Sequence, residues 1–250
     1  MKVRLDKLLL ERGLVASRER AQALILAGKV LVEGQKVEKA GTAVDVKANV
    51  AVTGNDLKYV SRGGLKLEKA IEQWKLDVRG ATCLDVGAST GGFTDCLLQH
   101  GAARVIAVDT GYGQIDFRLR QDSRVSLLEK TNARYLEPAQ LGAAIDLVVM
   151  DVSFISATLV LPAVIRAAFD EMKTPARKRE AVVLVKPQFE VGRELVGKGG
   201  IVRDERAQQN ATEKVRQALI SLGATQTDVT ESPITGAEGN REFLLYGVFA

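Results

Sequence analysis

The stretch LDVGASTGGFTD, residues 84–95, decides the fold of this chain. An apolar run reaches Asp85, a cluster of small residues follows, and Phe93 opens a polar helix start. A strand that passes through a glycine-rich turn into a helix lets a ligand approach both the backbone and the helix N-terminus. The stretch therefore predicts a strand–loop–helix unit beneath a nucleotide-sized ligand.

The sequence after residue 80 alternates between strand-like and helix-like segments. Strand-like segments begin at residues 81, 104, 125, 144, 181, 225 and 242, and helix-like segments cover 91–100, 157–170 and 204–222. Continuous apolar strands that alternate with helices indicate a mostly parallel sheet covered on both faces. Seven strands with a final hairpin over 225–249 predict an α/β fold that resembles the seven-stranded, Rossmann-like methyltransferase sheet.

Length and composition limit the class of protein. With 250 residues, 46% hydrophobic and 26% charged, the chain can form one large core and a small second domain. No apolar run approaches the ~20 residues of a membrane helix, and the first thirteen residues mix charged with apolar side chains, unlike a signal peptide. We therefore expect a cytoplasmic protein without a membrane partner. The single His100 excludes a His-rich metal site.

Charge is unevenly distributed along the chain. Residues 1–60 carry eleven Lys/Arg and seven Asp/Glu, which accounts for the whole net charge of +4. A basic module on a neutral body is typical of a protein that binds a polyanion such as RNA. Charge alone is equally compatible with the alternative, a soluble domain that happens to be slightly basic.

The N-terminal segment predicts two helices and a small hairpin. RLDKLLLERGL (4–14) and SRERAQALILAG (17–28) have helical spacing, and KVLVEGQKV (29–37) and VDVKANVAV (44–52) are strand-like. The pattern R-x-D, then S-R, then G-x-V-x-V-x-G resembles the S-four RNA-binding domain of ribosomal proteins. The resemblance implies an α+β domain that contacts RNA phosphates; a generic helical cap is the alternative. The candidate RNA-binding residues are Arg4, Arg18, Arg20, Lys29 and Arg62.

These patterns predict three segments. Residues 1–58 form the S-four-like domain, residues 59–64 form a linker, and residues 65–250 form the catalytic domain.

The opening stretch differs from a dinucleotide fingerprint, G-x-G-x-x-G, because Ser89 replaces the second glycine. Close approach of a pyrophosphate is then disfavoured. Asp85 directly before the loop suits a ligand with an ammonium group, and Asp109 at the next strand end suits ribose hydroxyls. This arrangement predicts S-adenosylmethionine as cofactor, with an NAD-type site as the alternative. The candidate cofactor-binding residues are Asp85, Gly87, Ala88, Ser89, Gly91, Gly92, Phe93, Asp109 and Asn132.

Four charged residues lie where the fold alone does not require them. Asp151 and Lys186 end two very apolar strands, Glu242 opens the last strand, and Lys66 lies in the helix entry SRGGLKLEKA. Since the carboxyl ends of central strands face the ligand crevice, we expect Asp151 and Lys186 to meet beside the cofactor. Taken singly, a strand-end Asp is commonly a cap and a helix Lys is commonly solvated.

The motifs around these residues are more specific than each residue alone. D-V-S-F and V-K-P-Q-F, with an earlier S-R-G-G-x-K and a late N-R-E-F, resemble the FtsJ-type RNA ribose 2′-O-methyltransferases. The resemblance maps the Lys-Asp-Lys-Glu tetrad of that family onto Lys66, Asp151, Lys186 and Glu242. With the S-four domain in front, the whole chain resembles the hemolysin A (TlyA) family. This implies 2′-O-methylation of cytidine in ribosomal RNA, on assembled subunits.

The chemistry requires a ribose hydroxyl to lose its proton as it attacks the methyl group of a sulfonium. We predict that Lys186 accepts this proton or steers the hydroxyl, that Lys66 and Asp151 tune and orient it, and that Glu242 holds the substrate end of the network. No metal is required. Loop 192–204 is a candidate lid, and 173–180 is a basic loop. The alternatives are a non-enzymatic assembly factor, a membrane-active cytolysin and a nucleotide-dependent oxidoreductase.

Overall fold

A computed structural model describes residues 2–15, 17–53, 58–169, 177–236 and 239–250. The chain divides into two compact units, Met1–Asp56 and Leu57–Ala250. The segment predicted as a linker, 59–64, differs from that prediction. Tyr59 is buried in the second unit, and a helix already begins at Gly63. Tyr59 packs so closely on Gly64 that a Cβ atom there would collide with its ring, so the predicted linker already contributes to the second unit's core.

The N-terminal unit contains the two predicted helices. Its elements are β1 (Lys2–Arg4), α1 (Leu5–Glu11), α2 (Arg18–Leu26), β2 (Val30–Val32), β3 (Gln35–Lys36), β4 (Ala43–Asp45) and β5 (Val50–Val52). The apolar positions at helical spacing, Leu5, Leu9, Ala21 and Ile25, form its core. Strands β3, β2 and β5 form one small sheet, while β1 pairs with β4 in a second one that sequence patterns did not predict.

The second unit alternates strands and helices, as predicted. Its elements are α3 (Gly63–Trp74), β6 (Thr82–Val86), α4 (Gly92–Gln99), β7 (Arg104–Val108), α5 (Phe117–Gln121), β8 (Val125–Leu128), α6 (Pro138–Leu141), β9 (Leu147–Met150), α7 (Ala157–Ala168), β10 (Arg179–Val185), α8 (Pro187–Glu190), α9 (Glu205–Ser221), β11 (Ala224–Glu231) and β12 (Phe243–Phe249).

The seven strands of this unit form one mixed sheet in the order β11-β12-β10-β9-β6-β7-β8. Strands β6 to β10 are parallel, and β12 is antiparallel to both of its neighbours. Every residue of β9 is buried, because hydrophobic clusters cover both faces of the sheet. The predicted α/β sheet with a final antiparallel hairpin is confirmed.

The topology brings several chain segments to one edge of the sheet. The parallel strands β6, β7, β9 and β10 all end there. Strand β12 runs in the opposite direction, and Phe243 at its start pairs with Val185 at the end of β10. Glu242 and Lys186, the residues just beyond this pair, are therefore delivered to the same edge.

Candidate active site

Two adjoining cavities open at the carboxyl-end edge of the sheet. The first has a volume of about 560 Å³ and the second about 530 Å³, within the range of small-molecule sites. The walls that both cavities share are formed by Gly87, Ser89, Asp151, Ser153 and Phe154. A reaction between two ligands, one in each cavity, would take place at these shared residues.

The four candidate catalytic residues all line the first cavity, where they form two ion pairs. Lys66 Nζ lies 2.5 Å from Glu242 Oε2, and Lys186 Nζ lies 2.6 Å from Asp151 Oδ1. The first pair is more buried: the side chains of Lys66 and Glu242 are 10% and 2% exposed. The structure thus places together the four residues that are distant in sequence.

Lys186 is held in place from several sides. It follows β10 directly and precedes Pro187, whose fixed φ angle suits the first position of α8. Its Nζ donates to Ser153 Oγ at 2.6 Å in addition to its contact with Asp151. A lysine Nζ carries three hydrogens when charged. Ser153 Oγ and the nearby Asp151 carboxylate occupy two sides of the nitrogen, which leaves a third side for a substrate atom.

Glycines lie beside the buried Lys66–Glu242 pair and in the loop after β6. A Cβ atom at Gly236 would collide with the Glu242 carboxylate. Gly87 has φ +86°, and a Cβ there would collide with the carbonyl oxygen of Asp151. Gly87 therefore requires glycine for both space and conformation, whereas a side chain at position 236 would displace the Glu242 carboxylate.

The second cavity contains the residues predicted for the ribose and adenine. Asp109 follows β7, and its carboxylate accepts from Ser89 N at 2.8 Å and Gly111 N at 2.7 Å. Asn132 caps the following turn by accepting from Arg134 N at 3.1 Å. Both side chains line the cavity, at the ends of neighbouring strands.

Two cofactor candidates do not line either cavity. Asp85 has no exposed surface and accepts from Thr94 Oγ1 at 2.6 Å, so its contact with a cofactor stays a prediction. Burial raises the pKa of Asp85 to about 7. Gly91, with φ +94°, is the N-cap of α4, and a Cβ there would collide with Leu119. Ala88, Gly92 and Phe93 line the first cavity.

Pattern reasoning did not select several residues that line the first cavity. These are Ser61, Ser153, Phe154, Gln188, Phe189 and Asn240. Most of them lie within the quoted motifs, such as D-V-S-F and V-K-P-Q-F, so the motifs could have identified them as site residues. Phe154 is 92% exposed, has φ +64°, and lies 5.3 Å from the Phe189 ring. An exposed aromatic ring in a strained backbone is a frequent feature of functional sites.

The candidate lid forms part of the cavity wall. Val196, Gly199 and Gly200 line the first cavity. The buried Asn240 donates to Gly200 O at 2.9 Å and accepts from Val202 N at 3.1 Å, so this loop is attached to the start of the last hairpin strand. Closure of the lid stays a prediction. Of the basic loop 173–180, residues 173–176 lie outside the described residues.

The matches to known families follow this division of the chain. The FtsJ-like methyltransferase pattern matches residues 59–249, and the S4 domain pattern matches residues 3–50. The chain belongs to the FtsJ-like methyltransferase family. This match confirms the prediction that it is an enzyme of the methyltransferase class, and the relatives described next confirm its likeness to the hemolysin A (TlyA) proteins.

Relatives of this FtsJ-like chain match over almost its full length. A 16S/23S rRNA (cytidine-2′-O)-methyltransferase TlyA of Mycobacterium tuberculosis is 46% identical, over 98% of this chain and 89% of the relative. Hemolysin A of Brachyspira hyodysenteriae is 42% identical, over 98% and 99%. A solved hemolysin structure from Streptococcus thermophilus is 40% identical, with a TM-score of 0.72 over 100% of this chain and 89% of the other.

The candidate RNA-binding residues of the FtsJ-like enzyme differ in their surroundings. Arg62 is exposed and lines the first cavity. In the N-terminal unit, Lys29 is exposed, Arg20 is half-buried, and Arg4 and Arg18 both bind the buried Asp6. No helix in the described part of the chain is long and apolar enough to cross a bilayer.

Proposed function

We propose that this enzyme transfers a methyl group from S-adenosylmethionine to the ribose 2′-hydroxyl of cytidine in ribosomal RNA, within assembled subunits. The observation that carries the proposal is the junction of two cavities at Asp151 and Ser153, with Lys186 Nζ held between these two side chains. The names of the relatives support the nucleoside and the RNA class.

The second cavity fits the cofactor. Asp109 at the end of β7 is suited to accept from ribose hydroxyls, Asn132 lies where the adenine edge would be, and Gly87 gives the close backbone approach that the methionine part requires. When bound, the cofactor supplies an electrophilic methyl group on a sulfonium.

Substituting Gly87 with alanine should disrupt this cavity. The left-handed φ and the collision with the Asp151 carbonyl both oppose a Cβ atom. We expect at least about a tenfold loss of affinity for S-adenosylhomocysteine, measured by calorimetry. The loop would have to move to relieve the collision, in addition to bearing the strain of the positive φ. Gly142→Ala is the matched control: it also has a positive φ, +63°, but nothing lies within 4 Å. Equal affinities in the two variants would contradict this role for the loop.

Lys186 can direct the hydroxyl and take its proton. Nζ donates to Ser153 Oγ and lies 2.6 Å from Asp151 Oδ1, which leaves its remaining direction for the hydroxyl. As the 2′-oxygen bonded to the methyl carbon and the carbon–sulfur bond of the sulfonium broke to leave a neutral thioether, the hydroxyl proton would pass to Nζ, and the Asp151 carboxylate at 2.6 Å would stabilise the ammonium. Asp151 and Ser153 thus determine the orientation of Lys186 before and after the transfer.

The Lys66–Glu242 pair serves the substrate end of the first cavity. Because both side chains are buried and paired, they form a rigid polar wall that a ribose hydroxyl can contact. The exposed ring of Phe154, at the junction of the cavities, offers a surface on which a base can stack. The basic residues of the N-terminal unit would add affinity through phosphates, which predicts weaker binding as salt increases.

The direct test is transfer of a labelled methyl group. Small subunits, large subunits and naked ribosomal RNA would be purified from cells that lack this enzyme and incubated with radiolabelled S-adenosylmethionine. We expect label at the 2′-position of cytidine in at least one type of subunit, and less or none in naked RNA.

Other outcomes select other functions. Label in naked RNA alone would contradict the assembled-subunit substrate. Cofactor binding without label in any RNA would favour a non-enzymatic assembly factor. Leakage of liposomes caused by the purified chain would favour the cytolysin.

A further inference from the structure

The N-terminal unit contains one buried carboxylate with an unusually full set of donors. Asp6 lies in the first turn of α1, and its side chain has no exposed surface. Its Oδ1 accepts from Arg4 Nε and from Lys7 N, both at 3.0 Å. Its Oδ2 accepts from Arg4 Nη2 at 2.9 Å, Arg18 Nε at 3.0 Å and Gln22 Nε2 at 3.1 Å. The carboxylate therefore links the starts of both helices.

The two arginines are only partly used by this carboxylate. The side chains of Arg4 and Arg18 remain 52% and 51% exposed. A guanidinium group has five N–H donors in a rigid plane. Asp6 engages two of them on Arg4 and one on Arg18. Each plane is thus held at its inner side, while its outer side can donate to a ligand.

Local electrostatics would otherwise oppose this placement. Arg4 is the N-cap of α1 and Arg18 is the first residue of α2. Positive charges are unfavourable at helix N-termini, where the backbone N–H groups already create a positive potential. A negative charge between the two starts offsets both. The neighbouring Arg4 in turn holds the pKa of the Asp6 carboxyl well below its usual range.

We propose that Asp6 is a positioning residue for RNA binding, which fixes the Arg4 and Arg18 guanidinium planes in the directions from which they contact RNA phosphates. The inference rests on the proposed RNA substrate. It differs from an argument based on net charge, because here a negatively charged residue increases the affinity for negatively charged RNA.

Net charge and positioning therefore predict opposite changes in RNA affinity when Asp6 is neutralised. By net charge alone, removing an acid from a basic domain raises its affinity for RNA. An asparagine at position 6 instead presents an amide N–H₂ to arginine donors and loses one acceptor oxygen. The full-length chain with Asp6→Asn should therefore bind purified ribosomal subunits at least about fivefold more weakly, because two arginines lose their preorganisation.

Glu11→Gln is the matched control. Glu11 ends the same helix, its side chain is 50% exposed, and it pairs with Lys7 at 3.5 Å. The control removes the same charge without touching either arginine, so its affinity should be equal to or above that of wild type. In methyl transfer, Asp6→Asn should raise the KM for subunits and leave kcat at saturation unchanged. A general loss of structure would lower kcat as well.

A second variant keeps the test decisive if Asp6→Asn does not fold. Arg4→Lys with Arg18→Lys preserves charge and leaves Asp6 in place, but replaces the planar fork by flexible point charges. We expect a similar loss of affinity for subunits, with thermal unfolding of the N-terminal unit near that of wild type. Wild-type affinity in this double variant would overturn the positioning role, as would Asp6→Asn binding as tightly as Glu11→Gln. Absence of subunit binding by wild type would instead refute the proposed function.

Discussion

Replacing Lys186 with alanine is expected to lower the rate of methyl transfer by about 10²- to 10⁴-fold, the usual contribution of a positioned general base. Affinity for S-adenosylhomocysteine should be unchanged, because Lys186 lines the first cavity and not the second. Single-turnover transfer to saturating subunits, together with calorimetric titration of the product, measures both quantities.

Two further variants separate the possible roles of this lysine. Lys186→Arg keeps a positive charge but cannot release a proton at neutral pH. It should be as inactive as alanine if Lys186 is the base, and partly active if it only steers the hydroxyl. Lys178→Ala is the matched control, because Lys178 immediately precedes β10 and binds Tyr246 OH at 3.1 Å, away from the cavities. Lys186→Ala turnover within a few-fold of this control would refute a catalytic role.

Removing Glu242 is expected to destabilise the second unit by about 3–5 kcal/mol, because it leaves Lys66 as a buried and unpaired charge. Lys66 is 8% exposed, and its Nζ lies 2.5 Å from the Glu242 carboxylate. The free energy of unfolding of Glu242→Ala, from denaturant titration monitored by the intrinsic fluorescence of Trp74, measures this cost. Methyl transfer should be lost as well.

An exposed pair provides the comparison. Glu213 lies 3.4 Å from Arg216 Nη1, and both side chains are largely solvated. Glu213→Ala should therefore cost no more than about 1 kcal/mol. The combination Lys66→Met with Glu242→Leu removes both charges at similar volume, and should recover stability without recovering transfer. If Glu242→Ala is no more costly than Glu213→Ala, the buried pair does not exist in solution.

Much of the fold could be predicted because it depends on local patterns. The apolar runs that became β6, β9 and β10 have no polar alternation, so they must be buried on both faces. The turn after β6 has the glycines that a positive φ requires at positions 87 and 91. The β1–β4 pairing was not predicted, since three-residue strands give too little periodicity to detect.

The members of the candidate site could be predicted, and so could the meeting of Asp151 with Lys186, but the pairing of Lys66 with Glu242 could not. Asp151, Lys186 and Glu242 were found because charges at the ends of apolar strands are unusual. The same reasoning placed Asp85 against a ligand; the structure buries it beside Thr94 and outside the lining of either cavity, so its role in cofactor binding stays a prediction. A strand end has two sides, and the side on which a residue lies depends on the register with its neighbours, which sequence spacing alone does not give.

The sequence by itself determined the two-part organisation of the chain, the alternation of strands and helices, and the residues that end each strand, because these follow from periodicity, turn residues and charge. The meeting of Asp151 and Lys186 was expected from the sequence, but only the tertiary structure decided that Lys66 pairs with Glu242. Lys66 and Glu242 are 176 positions apart, and they meet only because β12 inserts antiparallel beside β10 and delivers Glu242 to the edge where the parallel strands end. In the N-terminal unit, only the packing of two helix starts against each other brings Arg18 to Asp6. Such partners are fixed by long-range packing, for which local sequence carries no record.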